Sequence, residues 1–217
     1  MTRTLILLRH GRTAWNAEGR AQGHTDVPLD EVGRAQAAAA AQALADLSPA
    51  FIRSSDLARA AETADLVAEA CGLPVVRDLR LREYDVGERA GLTIPEFKAA
   101  FPSEHARWAA AGGSFEDADF VAGAESTQDV LTRMLPALRS AFSALAPGET
   151  GVVVSHGAAL RVALLALLGW DRSASATLRA LDNCGWAAVD DAALAGGLRL
   201  AAYNRIAPDF ASAGSVG

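Results

Sequence analysis

Several things are scarce in this chain, and each scarcity narrows what it can be. Only two cysteines, Cys71 and Cys184, occur in 217 residues. They lie far apart and near no histidine-rich cluster, which excludes a disulfide scaffold and suits free thiols in a reducing compartment. Aromatic residues make up 6% of the chain, so the core must come from aliphatic side chains and the abundant alanine, a composition that favours closely packed helices. Lysine occurs once, at Lys98, among 20 cationic residues. Coding bias accounts for much of that, but arginine is also the side chain that forks two bonds onto phosphate oxygens. The longest apolar stretch, 162–170, is too short to span a bilayer, and the apolar run near Met1 is too short for a secretory signal. The net charge of −6 argues against a general nucleic-acid or anionic-membrane surface. No Gly-rich Walker-type loop or dinucleotide fingerprint appears, and no His/Cys/Asp/Glu spacing suggests a metal site. The expectation is a cytoplasmic protein with no metal, no cofactor and neither nucleic acid nor membrane as a partner.

What is present is a hydrophobic content of 51% and a mean hydropathy of +0.14, enough for one domain over residues 1–217 with a sizeable core. The most telling stretch is Leu5-Ile6-Leu7-Leu8-Arg9-His10-Gly11. An aliphatic run bounded by glycine reads as a buried strand. The pattern returns at Val152-Val153-Val154-Ser155-His156-Gly157. Ligands in open α/β sheets sit beyond the carboxyl ends of strands, so two such strands would bring two imidazoles to one sheet edge.

Between these strands the pattern alternates. A loop over 11–28 precedes a helix from Leu29-Asp30-Glu31 to about Asp46, with Asp30 as N-cap. A short strand over 50–52 leads to a helix capped by Ser54-Ser55-Asp56 and stopped at Gly72. Strand 74–76 is followed by a charged loop over 79–91 and two short helices, 93–101 and 103–111, parted by Pro102. A long helix spans about 126–145, strand 151–155 follows, and helix 158–168 ends at Gly169. Two late strands, 183–189 and 198–203, join through Gly196-Gly197 and offer an edge on which a homodimer could form. The fold class is α/β, a three-layer sandwich with a mostly parallel central sheet and helices on both faces. The stretch at about 88–128 reads as an insertion that lids or walls the site.

A neutral imidazole is a good nucleophile toward phosphorus. His10 has Arg9 and Arg12 beside it to neutralise phosphate oxygens, and Gly11 to let backbone approach a ligand. Arg59 sits near the start of its helix, where the macrodipole disfavours a cation and favours an anion. A bound anion would supply the missing charge; a solvated surface arginine is the plainer alternative. Glu83 is one carboxylate among cations and could protonate a leaving alkoxide, although taken alone it reads better as an exposed salt bridge. His24 and His105 stand alone.

Leu8-Arg9-His10-Gly11-Arg12-Thr13-Ala14-Trp15-Asn16, Gln22-Gly23-His24-Thr25-Asp26-Val27-Pro28-Leu29 and Gly33-Arg34-Ala35-Gln36-Ala37 resemble the N-terminal block of the histidine phosphatase superfamily, in its phosphoglycerate-mutase-like branch. Ser54 to Ala64 resembles its second motif, Leu81-Arg82-Glu83 with Gly87 and Gly91-Leu92-Thr93 its third, and Ser155-His156-Gly157 its last. Four motifs in family order cover residues 5 to about 168. The resemblance implies that His10 is the nucleophile and becomes phosphohistidine. Arg9, Arg59 and His156 would bind the phosphoryl group, and Glu83 would serve the leaving oxygen and then water. Arg12, Thr13, Asn16, Gln22, Gly23 and Gly157 would line the phosphate and substrate side. No metal is needed, because protein cations take its part.

The mutases of this family carry a longer insertion with lysine and paired arginines. Residues 91–123 offer Lys98 and Arg107 but no Arg-Arg pair, which favours water as the acceptor and hence a phosphatase of a small phosphorylated metabolite. Phosphoglycerate mutase, and a regulatory member with little turnover, stay open as alternatives. Ala122-Gly123-Ala124-Glu125-Ser126 resembles the family's Gly-Glu-Ser turn with Ala124 in place of glycine. Asn183-Cys184-Gly185-Trp186 and residues 198–204 are similar to the ends of bacterial phosphatases that act on phosphoglycerate-bearing sugars. Phe101, Trp108 and Phe115 offer either an apolar wall or ordinary core.

Overall fold

The structure, a computed structural model, describes residues 1–113, 121–192 and 197–208. Phe115, the acidic run Glu116-Asp117-Ala118-Asp119, Gly196 and the tail beyond 208 lie outside them. The described elements are β1 (Thr4–Arg9), α1 (Ala14–Glu18), α2 (Glu31–Ala45), β2 (Phe51–Ser54), α3 (Ala58–Cys71), β3 (Val75–Arg77), α4 (Ile94–Ala100), α5 (Pro102–Ala110), α6 (Thr127–Ser143), β4 (Thr150–Ser155), α7 (Gly157–Leu168), β5 (Trp186–Asp190) and β6 (Arg199–Arg205). The strands form one sheet in the order β3-β2-β4-β1-β5-β6. β1 to β4 run parallel, while β5 is antiparallel to β1 and β6 antiparallel to β5.

The alternation of β1 explains the layers. Successive strand side chains point to opposite faces. Ile6 and Leu8 pack with Ala41 and Leu44 of α2 and Ala60, Ala64 and Val67 of α3. Leu5 and Leu7 pack with Val130, Met134 and Leu138 of α6 and Leu160 and Leu164 of α7. Alanines at three- and four-residue spacing let α2 and α3 lie close on the sheet. The expected three-layer arrangement is therefore present.

Register then places the site. Arg9 of β1 sits opposite Ser155 of β4, so His10 and His156 leave adjacent parallel strands at the same edge. β2 flanks β4 with Ser54 opposite Val154, which brings Ser55 there too.

Three local expectations change. The stretch 11–28 holds α1, whose Thr13 forms a reciprocal capping box with Asn16; five helical residues are too few to show a 3.6-residue period. Ser54-Ser55-Asp56 does not cap α3, whose N-cap is Leu57 with no side-chain bond. Those side chains are engaged elsewhere, Ser54 on the Ala60 carbonyl and Asp56 on Arg82. The first late strand starts only at Trp186, because Asp182 to Gly185 make a turn closed by a 2.8 Å backbone bond.

The insertion leaves and rejoins through an antiparallel bridge between Val86 and Ala124. It carries α4 and α5 and a small core of its own, Phe97, Trp108 and Val121 with Phe101 against it. The Arg89 guanidinium lies 4.8 Å from both the Phe97 and Trp108 ring centres. Trp108 and Phe101 thus belong to the insertion's core and line no part of the cleft described below.

Candidate active site

His10 is held by backbone on both sides. Its N–H donates to the Ser155 carbonyl (3.0 Å), and its carbonyl accepts from the Cys184 N–H (3.2 Å) and Asn183 Nδ2 (3.1 Å). The Gly11 N–H donates to Thr63 Oγ1 at 3.0 Å. A Cβ on Gly11 would lie 2.4 Å from the Gly33 carbonyl oxygen, so only glycine lets this turn press against α2.

The imidazole is buried, with Nδ1 2.7 Å from the Gly11 carbonyl. A carbonyl can only accept, so Nδ1 carries the proton and the lone pair stays on Nε2. Burial, then the Arg59 and Arg9 charges, push its pKa well below 6.5. His156 lies alongside, ring centres 5.1 Å apart. It is fully buried, with Nε2 2.9 Å from Ser55 Oγ. Burial and then Arg59 and His10 push it below its usual range as well.

Two arginines complete this end. Arg59, in the first turn of α3, is 1% exposed. Its guanidinium donates to the Gly23 carbonyl (2.8 Å) and the Thr25 carbonyl (2.9 Å), and burial pushes its pKa down to about 10. Arg9 donates to the Leu181 carbonyl at 2.5 Å and is likewise lowered by burial. It packs over Gly157, where an added Cβ would come 3.2 Å from Arg9 Nε. Arg9 Nε, Arg59 Nε and His156 Nδ1 are buried with no hydrogen-bond partner. An unmet buried donor costs about 1–3 kcal/mol, and an oxyanion in the cleft that Arg9 and Arg59 line is a group that would relieve the two arginines.

Glu83 stands at the N-terminus of α7. Its oxygens accept from the N–H groups of Tyr84 (3.0 Å), Ala158 (3.2 Å) and Ala159 (2.9 Å). Its negative charge acts on both Arg9 and Arg59.

Between these groups lies a cleft of about 180 Å³ lined by Arg9, His10, Asn16, Gln22, Gly23, Arg59, Glu83 and Gly157 among others. Arg12 and Thr13 are placed differently from expectation. Arg12 does not line the cleft and pairs with Asp30, the N-cap carboxylate of α2, at 2.8 Å. Thr13 is buried as the cap of α1, its hydroxyl 3.1 Å from Gln22 Oε1, so it holds a lining residue without lining the cleft. His156 stands beside His10 and is not among the residues that line the cleft. Lys98 and Arg107 of the insertion are exposed and also stay out of the cleft.

Some residues were missed from sequence. Arg20 and Arg161 line the outer part of the cleft. Arg161 lies four residues after Gly157 on α7, a spacing that keeps it on one helix face and was open to reading. Ser55, expected only in a helix cap, meets His156 instead. Asn183 lay in a stretch noted only for its resemblance, with no signal for its bond to His10, and Arg133, which reaches the Glu83 loop from α6, had no local signal. Among the described residues no group of three or more His, Cys, Asp or Glu side chains could hold a metal ion, and no helix is long and apolar enough to cross a membrane.

Comparison with known proteins agrees with this geometry. Residues 5–204 match the family profile of the histidine phosphatase superfamily (branch 1). The glucosyl-3-phosphoglycerate phosphatase of Mycolicibacterium vanbaalenii is 37% identical over 196 residues, covering 85% of this chain and 82% of its own. A probable phosphoglycerate mutase of Cronobacter sakazakii is 39% identical over 189 residues, covering 86% and 84%. A solved mycobacterial glucosyl-3-phosphoglycerate phosphatase complexed with VO3 superposes with a TM-score of 0.82 at 34% identity, covering 93% of this chain and 98% of that one. The chain therefore belongs to the histidine phosphatase superfamily, branch 1, and is a phosphoric monoester hydrolase.

Proposed function

We propose that this enzyme hydrolyses a small sugar- or glycerate-linked monophosphate through a phosphohistidine at His10, without a metal ion. The observation that carries the reading is the Nδ1 contact of His10 with the Gly11 carbonyl. With Nδ1 protonated and the ring kept neutral, the Nε2 lone pair is available at neutral pH. Nε2 attacks phosphorus as the bond to the leaving oxygen breaks. That electron pair goes to the alkoxide, which takes a proton from Glu83. Glu83 then accepts a proton from water as water attacks the phosphohistidine, and the P–N bond returns its pair to Nε2. Arg9, Arg59 and His156 meet the phosphoryl oxygens with their unpaired nitrogens, supplying the charge that a metal would otherwise supply.

The named relatives support a glycerate- or sugar-bearing leaving group. Arg161 in the outer cleft is a cation of the kind that takes a carboxylate or hydroxyls, whereas Arg20 beside it is paired with Glu18 and Glu96 at 2.7 Å each. The catalytic domain spans the whole chain, with 88–128 as its insertion. Hydrolysis is favoured over isomerisation because none of the described residues from 87 to 113 lines the cleft with a second cation pair. The unpaired cysteines suit the reducing cytoplasm, and the alternately exposed outer edge of β6 is the surface on which a homodimer would pair.

A panel of phosphorylated metabolites in EDTA tests this. Free phosphate from a glycerate- or sugar-linked ester, with acid-labile label on the protein, is expected. Accumulating 2-phosphoglycerate from 3-phosphoglycerate would move the chain to the mutases, and dependence on added Mg²⁺ would overturn the mechanism.

A further inference from the structure

The side chain of Glu83 is fixed by backbone N–H groups, but the loop that carries it is no strand and has no ladder to hold it. Its backbone is held from outside the loop by several residues, Ser155 Oγ on the Leu81 carbonyl among them, and one far along the chain makes the most of these bonds. Arg133 of α6 donates to the carbonyls of Arg80 (2.9 Å), Arg82 (2.7 Å) and Glu83 (2.7 Å). The same guanidinium grips Glu125 bidentately, Nε to Oε1 and Nη2 to Oε2, both at 2.8 Å. Glu125 in turn accepts the Asp85 N–H at 2.8 Å, and its own N–H donates to the Asp85 carbonyl at 2.9 Å. His24 Nε2 is 2.8 Å from the Glu83 carbonyl. Every bond of the Arg133 fork is thus spent on the 80–85 loop or on the carboxylate that ties this loop to the far stem of the insertion.

We infer that Arg133, paired with Glu125, is a positioning residue for the proton donor. It sets the backbone of Glu83 so that its carboxyl group reaches the leaving oxygen. A planar guanidinium with five donors in fixed directions can hold three carbonyls and one carboxylate at once; an ammonium cannot. The inference rests on the proposed acid role of Glu83, and a displacement of about 1 Å at such a group is enough to slow the step about 100-fold. Because Arg133 itself does not line the cleft, its loss should spare what does not need the acid.

The test is kcat/KM, which reports steps up to the phosphoenzyme, for an alkyl ester with a poor leaving group (3-phosphoglycerate) and an activated one (p-nitrophenyl phosphate). Arg133→Gln is expected to lower the alkyl-ester value about 10- to 100-fold and the activated-ester value less than about 3-fold. Adding it to Glu83→Gln should cost nothing further on the alkyl ester, since both remove one function. Equal losses on both esters, or additive losses in the double variant, would overturn the inference. If Arg133→Gln does not fold, Glu125→Gln keeps the arginine on its three carbonyls and should show a smaller loss with the same leaving-group bias; an unbiased loss would count against it. A wild-type enzyme that forms no phosphohistidine would refute the proposed reaction itself, whereas labelled wild-type enzyme with an unbiased variant refutes only the role of Arg133.

Discussion

The two chemical ends of the cleft are built differently. At the end of the proposed nucleophile, His10 and His156 extend adjacent parallel strands, and their placement follows from the register Arg9 to Ser155. Backbone bonds within the sheet and the turn beside it hold them, with side-chain bonds from Asn183, Thr63 and Ser55 added. At the acid end, Glu83 sits on a loop held by side chains: Arg133, His24 and Glu125. Strand ladders form and break with the whole domain, whereas side-chain ties can yield locally. The backbone of His10 is therefore tied into the sheet, while that of Glu83 depends largely on its arginine fork, although the Glu83 carboxylate itself is held by backbone N–H groups. A single neutral hydrogen bond contributes about 1 kcal/mol net, so the fork, with five charged bonds on one residue, matters more than any one of them.

Four changes, from the largest effect to the smallest, break or sharpen this contrast. His10→Ala removes the atom that bonds phosphorus, and activity on every ester should fall by about 10⁴-fold or more; a residual rate above about 1% would mean another nucleophile. Glu83→Gln should cost about 10²–10³-fold on alkyl esters and far less on p-nitrophenyl phosphate, and equal losses would sink the acid role. The nucleophile end should also register in global stability. Gly33→Ala puts a Cβ 2.0 Å from the Arg12 carbonyl oxygen, and urea melts should show about 1–3 kcal/mol of lost stability. An unchanged midpoint would show that the turn after β1 can shift.

The smallest effect concerns pH. His10 and His156 have folded pKa values below 6.5, so the unfolded chain binds more protons just below that pH. Their stabilising contribution is present above about 6.5 and lost as pH falls toward their folded values. The Asp56 carboxyl, held low by the Arg82 guanidinium, adds a loss only at more acid pH. The thermal midpoint should thus start to decline from pH 6.5 downward; a midpoint flat to pH 5 would contradict the depressed imidazoles.

This contrast also explains what could be read in advance. The strands, both His-Gly edges and the long helices were legible because alternation, helical spacing and caps such as Asp30 are local patterns. The layers followed from them. The cleft members Arg9, His10, Asn16, Gln22, Gly23, Arg59, Glu83 and Gly157 were legible because they lie in motifs anchored to those elements. Arg12 was not placed correctly, since its choice of Asp30 over the cleft depends on where α2 docks. α1 was too short to show a period. The contacts of Arg133 and Asn183 were invisible, because each reaches its partner across a long stretch of chain, 50 residues from Arg133 to Glu83 and 173 from Asn183 to His10.

By itself the sequence determined which strands end in His-Gly, which residues could neutralise phosphate and which carboxylate lies among cations, because residue type and near-neighbour spacing are properties of the chain. Only the tertiary structure decided that the His10 proton sits on Nδ1, that Arg59 is buried to a pKa of about 10, and that Glu83 is held between α7 and Arg133. Those outcomes depend on desolvation and on hydrogen bonds between distant segments, and neither exists until the sheet has closed.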